Sequence, residues 1–119
     1  MEGYKNITRD TLREKIADRE ENFTLIDVLP RADYDQAHLP QSLNIPLDDI
    51  ALMVPRLIPN LYEDIVVYGK GTDCDLSRKA AELLVRLDYK NVKQYAGGKS
   101  DWINAGLPVE SDKISSRAA

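Results

Sequence analysis

Residues able to do chemistry crowd into one stretch, Gly69-Lys70-Gly71-Thr72-Asp73-Cys74-Asp75, with Ser77 and Arg78 just beyond it. Two glycines let a backbone turn so that its N–H groups point to one side, Lys70 and Arg78 bring positive charge, and Cys74, the only cysteine, brings a nucleophilic sulfur. Two chemistries fit: holding a small anion, and carrying a group or an oxidation state on the thiol. Charge around that thiol is mixed. Lys70, Arg78 and a following helix N-terminus would attract an anion, whereas Asp73 and Asp75 would repel one. Arg78 could meet a bound anion or pair along its helix with Asp75 or Glu82. The glycine pattern is too short for a dinucleotide or P-loop fingerprint, because neither a third glycine nor Gly-Lys-Ser/Thr follows.

Outside this stretch two side chains stand out. Asp27 ends an apolar run and could orient a loop or substrate, or accept backbone N–H bonds from a neighbouring loop. His38 is the only histidine and has no second ligand at metal-binding spacing, so it is expected to be a hydrogen-bonded structural residue. No metal and no cofactor is expected.

The elements that must position these residues follow from apolar spacing. Ile65-Val66-Val67-Tyr68 is a buried strand and Leu76, Ala80, Leu83, Leu84 and Leu87 form one stripe of a helix, so the chemical stretch is a strand-to-helix loop. Upstream, Tyr4 to Ile7 reads as an edge strand, and Thr8 as the N-cap of a helix carrying Leu12 and Ile16 to about Asp18. Phe23 to Ile26 is a buried strand ending at Asp27, and Ala32 to Gln36 makes a helical turn. Leu47, Ile50, Ala51, Val54 and Leu57 keep a helical period that Pro55 should break or restart. Val92 to Tyr95 is the last strand, and Gly97-Gly98 turns into a short helix carrying Trp102, closed by Gly106 with Pro108 beyond. Strands alternating with helices predict an α/β domain with a parallel sheet covered on both faces. Its ligand site should lie beyond the strands' carboxyl ends, where the loop after Tyr68, Asp27 and the Gly97 turn can converge.

At 119 residues the chain should form one domain over residues 1–110, with a polar and disordered tail from 111 to 119. Sixteen basic and twenty acidic residues give a net charge of −4 without long blocks, which argues against a nucleic-acid groove or a membrane-binding face. No apolar run approaches the ~20 residues of a membrane span. The start lacks the basic and apolar regions of a secretion signal, so a cytoplasmic protein is expected.

Leu25-Ile26-Asp27-Val28, Tyr34, His38-Leu39-Pro40 and Asn44-Ile45-Pro46 resemble the first signature of rhodanese-like domains. Tyr95-Ala96-Gly97-Gly98, Trp102 and Ala105-Gly106-Leu107-Pro108-Val109 resemble the second, and together they cover about residues 4 to 110. The resemblance implies a three-layer α/β/α sandwich with a five-stranded parallel sheet of rhodanese type, ordered 3-2-4-5-1. It also implies the family activity, moving sulfane sulfur from a donor such as thiosulfate to a thiophilic acceptor. The family's persulfide-forming cysteine directly follows the fourth strand, where this chain has Gly69. Cys74 and Ser77 resemble the later part of a longer loop, found in a subgroup, that has Cys, four residues, Cys and then Ser. Leu29 and Ala37 replace the arginine and glycine that the family often has there.

Three functions stay open. One is a binding or regulatory module, taking a small anion, a sulfur-containing substrate or an unidentified protein partner, without thiosulfate sulfurtransferase activity. Another is a sulfurtransferase with Cys74 as persulfide carrier and Lys70, Arg78 and loop amides on the donor. A third is a redox-sensing module acting through Cys74.

Overall fold

Strand β4 (Asp64–Tyr68) lies at the centre, because alternate residues of its apolar run feed two cores. Ile65 and Val67 point to one face of the sheet, and Val66 and Tyr68 to the other. A computed structural model describes residues 3–112. In chain order the elements are β1 (Lys5–Asn6), α1 (Arg9–Asp18), β2 (Phe23–Asp27), α2 (Arg31–Gln36) and β3 (Ser42–Asn44). A 3-10 turn (Leu47–Asp49), α3 (Ile50–Leu57), β4, α4 (Leu76–Arg86), β5 (Asn91–Tyr95) and α5 (Gly98–Asn104) follow.

All strand pairs are parallel in the order β1-β5-β4-β2-β3, which is 3-2-4-5-1 read from the other edge. Helices α3 and α4 cover the face of Ile26, Ile65, Val67 and Val92; Leu12 and Ile16 of α1 and Trp102 of α5 pack with Leu25, Val66, Tyr68 and Tyr95. The fold is a three-layer α/β/α sandwich. Register aligns Asp27 with Tyr68, and Tyr68 with Tyr95, so three strands end at one level and their loops meet.

Local signals act as expected at both ends of α1, where the Thr8 hydroxyl accepts from the Thr11 N–H at 3.2 Å and Arg19 closes the helix at φ 49°. Pro55 behaves otherwise. Helix α3 runs through it to Leu57. The N–H that proline lacks would have met the carbonyl of Ala51, an exposed residue, and the helix ends two residues later. The buried stripe is Ile50, Val54 and Ile58, whereas Ala51 and Leu57 face outward. In α4, Ala80, Ala81 and Leu84 are fully buried, and Leu83 and Leu87 are half-buried against the same core. Among the described residues no helix is long and apolar enough to cross a membrane. Ser111 and Asp112 both bond the carbonyl of Asp35, and the tail expectation for 113–119 lies outside the described residues.

Candidate functional site

The backbone from Gly69 to Asp75 joins β4 to α4 and is held down by the start of α5. Lys99 N–H donates to the Gly69 carbonyl at 3.0 Å and Ser100 N–H to the Lys70 carbonyl at 2.8 Å. Cys74 N–H closes a turn on the Gly71 carbonyl at 3.1 Å. Such close approach requires glycine at 98, where φ is +63° and a Cβ would lie 2.7 Å from the Gly69 oxygen and 2.9 Å from the Gly71 nitrogen. Of Gly69, Gly71, Gly97 and Gly98, only Gly98 takes a left-handed φ. At Gly71 the missing side chain makes room instead, since a Cβ there would sit 3.3 Å from Ser100.

A cavity of about 370 Å³ opens beside this loop, lined by Lys70, Gly71, Thr72, Asp73, Cys74 and Ser100. Cys74 is a half-exposed free thiol. A Cβ built on Gly69 would meet its sulfur at 3.4 Å, the Ser77 nitrogen at 3.8 Å and the Ser77 Cβ at 3.9 Å. A side chain at 69 would therefore point between Cys74 and the first turn of α4. Asp75 occupies the N-cap position of α4 without capping it; its carboxylate turns outward to Lys79 at 3.3 Å and Arg78 at 3.7 Å. The first-turn amides of α4 are thus left without a side-chain acceptor.

Four of the predicted loop residues do other work or lie apart from the cavity lining. Arg78 pairs with Glu82 at 3.2 Å as well as with Asp75, and Ser77 is buried with its hydroxyl accepting from Gln94 Nε2 at 2.9 Å. Gly69 is buried beneath the loop. Lys70 and Asp73 are exposed on the cavity wall and, among the described residues, form no ion pair.

Asp27 and His38 occupy the same end of the sheet in different ways. Asp27 is fully buried; Oδ1 accepts from Leu29 N–H at 2.9 Å, and Oδ2 has no hydrogen-bond partner among the described residues. The Lys99 ammonium stands 4.0 Å from Oδ2 and donates to the Asp33 carbonyl at 2.9 Å. Burial holds the Asp27 carboxyl above the usual carboxylate range, with the Leu29 N–H pulling the other way, and burial lowers the Lys99 ammonium. His38 stacks on Tyr34 at 3.7 Å and its Nδ1 donates to the Tyr34 carbonyl at 2.7 Å. Its backbone pairs with Glu110, which fastens the C-terminal segment.

A carboxyl raised on folding opposes folding when ionised, and that cost disappears as pH falls through its range. Asp27→Asn keeps an oxygen for Leu29, so it should raise the melting midpoint at pH 7, with the difference closing towards pH ~4. Thermal melts at both values check this; a lower midpoint at pH 7 would show that the charge stabilises the fold.

Lys99 and Ser100 are the site residues that the sequence did not reveal. Their only signal was position, directly after the Gly97-Gly98 turn.

A family model described as Rhodanese-like domain matches residues 8–105. Over 87 residues the chain is 34% identical to the HTH-type transcriptional regulator Rv0324 of Mycobacterium tuberculosis, covering 73% of this chain and 37% of that protein. It spans between 21% and 37% of the length of the four curated relatives it matches first. Among solved structures, the Alr3790 protein of Anabaena superposes with a TM-score of 0.82 at 26% identity, over 92% of this chain and 95% of that one. The thiosulfate sulfurtransferase of Pseudomonas aeruginosa superposes with a TM-score of 0.81 at 31% identity, over 91% of this chain and 20% of that one.

Proposed function

The chain belongs to the rhodanese-like domain family, and from that premise we propose that it is a binding or regulatory module whose β4–α4 loop takes a small anionic group without transferring sulfur. The carrying observation is Gly69. It holds the position to which the family resemblance assigns the persulfide-forming cysteine, and it has no side chain to attack a donor. What the loop keeps suits an anion: the uncapped first turn of α4, a Lys70 that forms no ion pair among the described residues, and a cavity of about 370 Å³. Similarity to a transcriptional regulator, of which the chain spans 37%, supports a module that serves a larger protein or a partner.

Asp73 on the cavity wall opposes the anion. Binding should be weak, with a Kd of roughly a millimolar, and Asp73→Asn should tighten it about two- to fivefold. Sulfate titration followed by amide NMR tests this reading, with shifts expected from Lys70 to Ser77. Unchanged loop resonances at tens of millimolar sulfate in both proteins would overturn it.

A second reading has a specific observation in its favour. The Cys74 sulfur lies 3.4 Å from where a Cβ at 69 would be, so it borders the space that a side chain there would occupy. On that reading Cys74 carries the persulfide, and turnover of thiosulfate that Cys74→Ala abolishes would select it.

A further inference from the structure

Lys99 meets the β4–α4 loop with its backbone and the end of β2 with its side chain. The two carbonyls taken by Lys99 and Ser100 belong to consecutive peptides, and in a trans peptide the carbonyl and the N–H point in opposite directions. Holding the oxygens of Gly69 and Lys70 on α5 therefore turns the amides of Lys70 and Gly71 away from it. The orientation of those donors depends on the seat of α5's first turn.

That seat has a polar anchor. The Lys99 side chain is 12% exposed, and its ammonium donates to the Asp33 carbonyl at 2.9 Å. On its other side stands Asp27, fully buried, whose Oδ2 has this ammonium at 4.0 Å and no hydrogen bond among the described residues. We propose that Lys99 is the positioning residue of the loop: its ammonium, bonded to the Asp33 carbonyl, seats α5, and α5 in turn holds the loop that lines the cavity.

The sulfate arm of the test rests on the anion reading above; hydrogen exchange does not. Lys99→Met removes the ammonium and leaves Asp27 buried without a countercharge, so Lys99→Met/Asp27→Asn is the variant that keeps the fold. In the double variant, amide exchange at Lys99 and Ser100, the donors to the loop, should quicken by roughly tenfold, and sulfate should bind roughly three- to tenfold more weakly. Asp27→Asn alone keeps the bond to Asp33 and should stay within about twofold of the parent in both measurements. Parent-like exchange in the double variant would overturn the proposal, as would Asp27→Asn alone reproducing the full effect. If the parent protein binds no sulfate, the anion reading falls and the exchange rates still decide the role of Lys99.

Discussion

Mixed with thiosulfate and cyanide, the protein should form thiocyanate no faster than buffer, and Cys74→Ala should leave that rate unchanged. Transfer needs a thiolate that attacks the outer sulfur of thiosulfate, releases sulfite and keeps a persulfide on the protein. Gly69 offers no sulfur, and Cys74 shares the cavity lining with the like-charged Asp73. The lone histidine cannot serve as a base there, because His38 is committed to Tyr34 and the segment at Glu110. Gly69→Cys is the converse experiment. A Cβ at that position makes ordinary contacts at 3.8 and 3.9 Å with Ser77 and a tighter one at 3.4 Å with the Cys74 sulfur, and the new thiol would face the uncapped turn of α4. If those amides stabilise the departing sulfite as backbone donors do in anion holes, turnover should rise roughly a hundredfold or more above the blank. Cys74 would then be positioned to attack the persulfide, displacing hydrosulfide and forming a disulfide with the introduced cysteine. Gly69→Cys/Cys74→Ala should consequently turn over longer than Gly69→Cys alone. A blank rate in both variants would mean that the loop's donors do not face position 69.

Leu84→Ala should cost roughly 2–5 kcal/mol, a large part of the 5–15 kcal/mol typical of a domain. Leu84 is fully buried within the cluster of Ile65, Val67, Ala80, Ala81 and Val92, where the surrounding β-branched side chains cannot collapse into the vacated volume. The melting midpoint should fall by about 10–20 °C. Leu83 and Leu87 are half-buried and lose less contact, so their alanine variants should cost about half as much or less. Urea unfolding of the three variants measures the ranking, and equal losses at Leu84 and Leu87 would mean that α4 is rotated about its axis.

Strands and helices were legible wherever spacing was unopposed. Consecutive β-branched residues mark β4, and the 3.6-residue stripe marks α4 because one face alone meets the sheet. Pro55 misled because its cost depends on where the orphaned carbonyl of Ala51 points, and that is set by tertiary placement. Arg78 and Ser77 stand at the helix start where an anion could be met, yet Glu82, Asp75 and Gln94 take them. Those partners lie on the helix surface and on the adjoining strand. Convergence of Asp27, the loop and the Gly97 turn followed from the rule that parallel sheets gather their loops at the strands' carboxyl ends. Lys99 is not legible in the sequence because its importance lies in two contacts of long sequence separation, to Asp27 and to the Gly69 carbonyl, which no local pattern encodes.

This rhodanese-like domain, with Gly69 where the family resemblance places the cysteine, should hold no sulfane sulfur. Intact mass spectrometry after incubation with thiosulfate, with and without a reductant, tests it most directly. One unshifted mass is expected in both samples. A gain of one sulfur atom that the reductant or cyanide removes and Cys74→Ala prevents would contradict it and make Cys74 the carrier, whereas a reducible dimer would make Cys74 a redox switch.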